Sequence, residues 1–566
     1  MNPIRSVARF AGAGFFMVIL GATCLSASAQ TTPQPTRADA EKDPVLKAML
    51  TELDRSMSQL QLKDFQKPFF IRYRIEEVDS FETRAEFGAT SNSRRSHARV
   101  ARVTVRVGDY KADSSYKADT PGGQSDGVVQ LEALDDDPIA LRSALWSATD
   151  QAYKGALAIY AQKQAALKQV ETPPQVDDFS KETPVISLAE PLKLKVDERA
   201  WEARVARNSG LYRTDPTVKD NQRDVQLSVG SFSARVTTTW LVTSEGTIVR
   251  KSASGYDESF RAEAQAADGM RLELAHSSVG VSPEDLDSQA DFEKHTLKLI
   301  ANLDDLRKAP VVEEEYHGPV LLGPAAGAHT INSLFAGGIV ATRPRLGTEA
   351  RTNGPFASSY HARVLPEFLD VVDDPGLKKF NGKGLVGAYD VDDEGVPEQA
   401  VKVVVAGKLE NYLIGREPVR NFPQSNGHGR AGLTTEPRPA IGVLQVTAKD
   451  GLSEDELNTK LLELAKDRGL KNVYYAATMG GKLSPHLLYR VTPDGKRELV
   501  RGAELADLDQ RALRSGVVAA GKQLWIASSM GEIPETVLAP ALLIDDLTIR
   551  RANKKNDKLP FYPTPE

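Results

Sequence analysis

Residues 323–338 read GPAAGAHTINSLFAGG. A zinc-peptidase helix needs two imidazoles one turn apart, with a carboxylate beside the first to take a proton from the metal-bound water. Here His329 is followed by Thr330, and Ser333 and Leu334 stand where a second histidine would fall. The spacing offers one protein ligand where a catalytic zinc takes three. A lone histidine without a spaced partner signals a ligand weakly, so His329, His317 and His428 are expected to be structural. His428 lies in a Gly-rich loop, where exposure is expected.

Two acidic groups are the other candidates. His361, Glu367, Asp370, Asp373 and Asp374 form a carboxylate-rich set of the kind that suits Ca²⁺ or Mg²⁺ more than Zn²⁺. Asp373-Asp374-Pro375-Gly376 is also turn chemistry, in which Asp side chains bond local backbone, and that reading is preferred. Asp392-Asp393-Glu394-Gly395 carries the same two meanings, a tight acidic turn or the lining of a cavity. Gly382 to Gly387 satisfies G-x-G-x-x-G but opens no helix, so a dinucleotide site is not expected. Ser114-Ser115-Tyr116-Lys117 lacks the companion motifs of an S-x-x-K enzyme, and no G-x-S-x-G occurs.

The whole chain narrows the field further. Its 566 residues carry a formal charge of −6, which gives no electrostatic footprint for nucleic acid. MNPIRSVARF is basic, AGAGFFMVILGATCL is a short apolar core, and Ala27-Ser28-Ala29 supplies an A-x-A cleavage signal. That layout predicts a secretory signal peptide over 1–29 and a periplasmic or extracellular protein. No later run is long and apolar enough to predict a transmembrane segment. Cys24 is the only cysteine and lies inside the predicted leader. The mature chain then has no disulfide, no thiol nucleophile and no thiolate ligand.

Periodicity places the elements that would hold these residues. Residues 30–42 are Pro- and Thr-rich and expected to lack structure. Asp43-Pro44 opens a helix with Leu46, Leu50, Leu53, Met57 and Leu60 on one face. FFIRYRIEEV and ARVTVRVGDY are predicted strands; in the second, Val103, Val105 and Val107 alternate with Arg102, Thr104 and Arg106, implying one buried and one wet face. Further helices are predicted from Pro138 to about Leu167, near 188–207 and over 282–310. Hairpin turns are predicted at Glu245-Gly246, Ala406-Gly407 and Asp494-Gly495. Ser453 and Glu456 make a capping box ahead of one more helix. The fold class is α+β, with an N-terminal mixed domain at 43–308 and a strand-rich C-terminal domain at 309–560.

Several stretches in this order resemble the TldD/PmbA family of peptidase-like proteins. They are EEEYHGPVLLGPAAGAH (313–329), the run FLDVVDDPG…ENYLIGR (368–416) with its D-D-E-G-x-P core, SNGHGR (425–430), PDGKRELVRGA (493–503) and the SEGT hairpin (244–247). The resemblance implies a two-domain protein that pairs as a dimer around a cavity. Active members cleave unfolded or extended peptides with zinc held by an H-E-x-x-x-H helix and a downstream cysteine. Carried onto this chain, His329 takes the first histidine position, Thr330 that of the glutamate and Leu334 that of the second histidine; the cysteine has no counterpart. The family also contains a partner subunit without the metal motif.

The expectation is therefore an exported, signal-peptide-bearing relative without catalytic residues, acting as a peptide-binding or non-catalytic subunit. His329, Asp373, Asp374, Asp392, Asp393, Glu394, Asn426 and His428 are its candidate cavity residues. No cofactor is expected. Extended peptides and a second copy or related subunit are the expected partners, and nucleic acid is not. The alternative is an active peptidase on unfolded or extended peptides through a different metal site, and only then would zinc be required.

Overall fold

The computed structural model describes residues 34–115, 127–171, 176–220 and 224–553. The predicted leader, Cys24 and part of the S-x-x-K stretch lie outside the described residues. Thr36 caps a short helix, α1 (Arg37–Ala40), through reciprocal bonds with Asp39. The expectation that 30–42 lacks structure therefore gives way from Arg37 onward. The cap satisfies otherwise orphaned amides, and Arg37 pairs with Asp54 on the next helix.

That helix, α2 (Pro44–Gln59), starts as its Asp-Pro pair dictates, with the Asp43 carboxylate accepting from the Val45 and Leu46 amides. Leu46, Leu50 and Leu53 are fully buried, each worth about 1.5–3 kcal/mol relative to exposure. Strands β1 (Pro68–Glu86) and β2 (Ala89–Val107) follow as a long hairpin. Then come β3 (Gly127–Leu131), α3 (Pro138–Leu167), β4 (Ile186–Leu188) and α4 (Glu198–Thr214). The helix predicted near 188–207 is thus shifted C-terminally, because Asp197 is the residue that caps it. Strands β5 (Leu227–Thr243), β6 (Ile248–Gln265) and β7 (Arg271–Gly280) and helix α5 (Gln289–Lys308) complete the first half.

The first sheet runs β3-β2-β1-β5-β6-β4, with β7 also paired to β6. Ile71, Tyr73 and Ile75 alternate along β1 into a core shared with Val103, Val105, Trp240 and the apolar faces of α2 and α3. Farther along the same face, Phe81 and Phe232 pack under α4 beside Trp201. Between these two clusters Glu77 and Asp79 are half-buried and pair with His97 and Arg95.

The opposite face differs from expectation. Arg102, Thr104 and Arg106 were predicted to be wet, yet they are buried, as are Arg72 and Arg74. The second half of the chain lies on them. That half holds an eleven-stranded mixed sheet. Its strand β8 (Tyr316–Leu322) sits between the strand 535–551 and the strand 473–480. Helix α6 (Pro324–Leu334) packs on one face against Val320, Leu322 and Leu542. Helix α7 (Glu454–Asp467) covers Leu321, Ala541 and Leu543 on the other. The Ser453–Glu456 capping box is present. Gly382–Gly387 belongs to a small hairpin and starts no helix. The architecture is α+β, a mixed N-terminal half followed by a strand-rich C-terminal one.

Candidate functional site

The geometry of α6 decides whether a family-type zinc could sit there. Small residues let the helix press on the sheet: a methyl at Gly327 would come 2.2 Å from the Pro540 carbonyl. Thr330 is fully buried and its hydroxyl donates to Ala326 of its own helix at 2.8 Å. Leu334 is half-buried against the apolar core. Only His329 offers a metal donor, and Cys24 is the chain's sole thiol. One imidazole beside a turned-in hydroxyl and a leucine does not fit a tetrahedral zinc centre with an open position.

The carboxylates weighed as a metal set are each engaged elsewhere. His361 Nδ1 meets Glu410 at 2.6 Å. Glu367 pairs with Arg363 at 3.2 Å, and Asp370 accepts from the Ala406 amide at 2.6 Å. Asp374 accepts from Gly376 at 3.1 Å in the turn its sequence suggested.

The remaining candidate residues gather on the surface that faces the first sheet. Asp373 is buried at the end of strand 369–373, where it accepts from the Gly442 and Val443 amides. His428 contacts it through Nε2 at 3.1 Å, while Nδ1 faces the Asn426 carbonyl at 2.9 Å. His428 is wholly buried, which corrects the expectation of an exposed loop residue. The Gly-rich chain folds over it and uses both ring nitrogens as internal struts. Asn426 in turn accepts from Ile414 at 2.8 Å and donates to the Tyr412 carbonyl at 2.7 Å. His329 forms no hydrogen bond with this group among the described residues.

The acidic turn is held just as firmly. Asp392 accepts from the Glu394, Val396 and Gly429 amides at 2.8–2.9 Å. Glu394 accepts from the Arg416 amide at 2.6 Å, with Arg72 at 3.9 Å. Burial pushes both carboxyls up, Glu394 further because the Asp392 charge lies against it. Asp393 behaves differently. Burial opposes its ionised form, but Lys251 and Arg430 outweigh it and hold the carboxyl well below the usual range. Lys251 Nζ reaches Asp393 at 2.7 Å and the Val391 carbonyl at 2.7 Å.

Asp393 and Lys251 open onto a cavity of about 440 Å³ between the two halves, within the range of small-ligand sites. Glu76, Arg235, Thr237 and Thr239 line it from the sheet, and Tyr389, Arg430, Leu433 and Met530 from the C-terminal half. Two of the lining groups are incompletely bonded: Glu76 Oε2 and Arg430 Nη1 are buried and have no hydrogen-bond partner among the described residues. Burial raises the Glu76 carboxyl to about 7. Burial also lowers Arg235, whose guanidinium donates to the Gly531 carbonyl at 3.0 Å. The cavity thus presents both signs of charge, unsatisfied polar atoms and an apolar rim.

Sequence reasoning singled out Asp393 but missed Glu76, Arg235, Lys251 and Arg430. Glu76 follows Arg72 and Arg74 at every second position of β1, a pattern a solvated sheet face also gives, and Arg430 closes the SNGHGR stretch without any signal of its own.

Residues 314–551 match the PmbA/TldA metallopeptidase C-terminal domain. The C-terminal half thus carries a domain of the TldD/PmbA family. TldE from Thermococcus kodakarensis has a similar fold, with 13% identity, a TM-score of 0.60, and 89% of this chain covered against 100% of that one. A protein of Thermotoga maritima, described as a candidate modulator of a DNA gyrase, shows 14% identity and a TM-score of 0.57 over 85% of this chain and 96% of its own. A similarly described protein of Bacteroides thetaiotaomicron shows 11% identity and a TM-score of 0.55 over 91% and 99%. At these identities the likeness is one of fold. No curated protein matches the chain. Among the described residues no helix is long and apolar enough to cross a membrane.

Proposed function

We propose that this chain is an exported, non-catalytic member of the TldD/PmbA family that holds an extended peptide segment between its two halves. The observation that carries the reading is the cavity, where Glu76 Oε2 and Arg430 Nη1 make no hydrogen bond among the described residues, beside an α6 with one imidazole, Thr330 bonded back onto its own helix and Leu334 against the core. A peptide backbone supplies both a donor and an acceptor at each residue, which suits a carboxylate oxygen whose neighbouring guanidinium, Arg74, stands off at 3.7 Å and a guanidinium nitrogen without a hydrogen bond. Leu192, Leu433 and Met530 give apolar side chains a place to rest. Lys251 to Gly255 on the cavity wall fall between the stretches of β6 that pair with β4 and with β7, so the guest meets strand backbone there as well as side chains. A second copy or a related subunit is the proposed partner, and the exposed Leu131, Ile139 and Trp146 near α3 suit such a contact.

The test uses fluorescent peptides from an unfolded protein, followed by anisotropy and by mass spectrometry of the products. Binding without cleavage is expected. Ala253, exposed on the cavity wall, allows the space to be filled without disturbing the core: Ala253→Trp should weaken binding by about tenfold, the equivalent of one lost contact of about 1.4 kcal/mol. Chelator-sensitive cleavage by the wild type, or unchanged binding by Ala253→Trp, would overturn the reading.

A further inference from the structure

Away from this cavity, the loop joining β7 to α5 brings two histidines and an aspartate together. His276 Nε2 lies 3.0 Å and His295 Nδ1 3.2 Å from the same oxygen, Asp287 Oδ2. The three donor atoms all fall within 4.8 Å of one another, and among the described residues they are the sole such group of histidine and carboxylate donors. With metal–ligand bonds of about 2.0–2.1 Å, the edge of a tetrahedral site is about 3.3 Å. Both donor separations to Asp287 are close to that edge.

We infer that His276, Asp287 and His295 form a site for a divalent transition-metal ion of the zinc type. Two imidazoles and a carboxylate are a donor set for zinc and its first-row neighbours rather than for Ca²⁺ or Mg²⁺. The scaffold is built to hold it. The Asp287 amide donates to Ser278 Oγ at 2.8 Å, and its carbonyl accepts from Arg204 at 2.9 Å, so the ligand's backbone is fixed on both sides. His276 comes from β7 and packs against the Phe292 ring at 5.2 Å; His295 lies on α5 one turn beyond it. In the metal-free chain the same three atoms share hydrogen bonds, which the ion replaces.

Lys383 gives the site its consequence. It reaches Asp287 Oδ1 at 3.3 Å from the small hairpin of the C-terminal half. A cation on Oδ2 competes with that ammonium, so metal occupancy loosens one contact between the halves while clipping β7 to α5. The His295 side chain is 47% exposed, which gives the ion a route in and makes substitution there mild.

The test is equilibrium dialysis of the chelator-stripped full chain against Zn²⁺, followed by elemental analysis, with Co²⁺ absorption to report coordination geometry. One retained equivalent and an intense tetrahedral Co²⁺ band are expected. His295→Ala should weaken binding by about a hundredfold or more, since even the outer partners of metal ligands are worth about ten- to a hundredfold. Asp287→Asn should do the same, and His329→Ala should leave it unchanged. Zinc should raise the melting temperature of the wild type but not of His295→Ala. No retained zinc, or equal retention by wild type and His295→Ala, would overturn the site. Loss in His329→Ala alone would overturn it too, and would place the metal at α6 instead.

Discussion

A single buried carboxyl makes the cavity measurable. Glu76 is 6% exposed on β1, and burial lifts its carboxyl from an ordinary 4.5 to about 7. Because the folded value lies above the unfolded one, the folded chain holds a proton that the unfolded chain has released between those two values. The stability associated with this group is therefore fully present below pH 4.5 and is lost as pH rises to about 7. The full excursion is on the order of 3 kcal/mol. Glu76→Gln removes it. Urea midpoints of wild type and variant should be similar near pH 5, and the variant should be clearly the more stable near pH 8. Neighbouring acids titrate alike in both proteins, so the difference between the curves isolates Glu76. Parallel curves would mean that water or a counter-charge reaches the group and that the cavity is wetter than its lining implies.

At the level of elements, much of the fold was legible because local rules dominate at element ends. Asp43-Pro44, Asp137-Pro138 and the Ser453–Glu456 box open helices where the sequence places them. The turns at Gly246 and Gly495 need a positive φ, 106° and 82°, that only glycine adopts freely. What stayed hidden was the environment of a face. Arg102 and Arg106 alternate with valines as a wet strand face would, and nothing local to β2 shows that the second half will cover them. His428 was hidden for the same reason, since its partner Asp373 lies 55 residues earlier in the chain. The α6 helix was legible in the other direction. Thr330 occupies the position of the family's glutamate, and the structure turns that position into the core. Thr330→Glu should therefore restore one letter of the motif and none of its chemistry. A carboxylate there loses the bond to Ala326 and finds apolar Ile331 and Phe335 nearby, costing about 3 kcal/mol. A urea titration showing wild-type stability would mean that the position opens onto polar space, and the case against a catalytic α6 would weaken with it.

Across the whole molecule the two halves are joined by buried charge more than by apolar contact. Glu436, from a loop of the C-terminal half, meets Arg72 on β1 at 2.6 Å and Arg102 on β2 at 2.7 Å, and also accepts from Thr104 at 2.9 Å. Arg74 donates to the Gly432 and Thr435 carbonyls at 2.8 and 2.9 Å. Arg416 spans the same boundary to Glu245 at 2.6 Å. These bonds fix how the loop around Arg430 and Leu433 stands over the sheet, and hence the width of the cavity. Burial opposes the ionised form of Glu436, yet the two guanidiniums hold its carboxyl well below the ordinary range. Its contribution is therefore intact at neutral pH. Taking one partner from a buried ion pair is costly because the other charge remains. Glu436→Gln leaves Arg72, 3% exposed, with only the more distant Glu394 at 3.9 Å, and a loss of about 3 kcal/mol is expected. Salt should not compensate, since pairs shielded from solvent are weakly screened. The damage should also be directional. Limited proteolysis should find the chain near 431–436 cut sooner in the variant, while the β1–β2 hairpin and its α2–α3 cover stay protected. Peptide binding should weaken in parallel. Equal urea midpoints and an unchanged digestion pattern would show that the arginines find water or other acids once Glu436 is neutral, and the halves would then owe their fixed geometry to the surrounding backbone bonds.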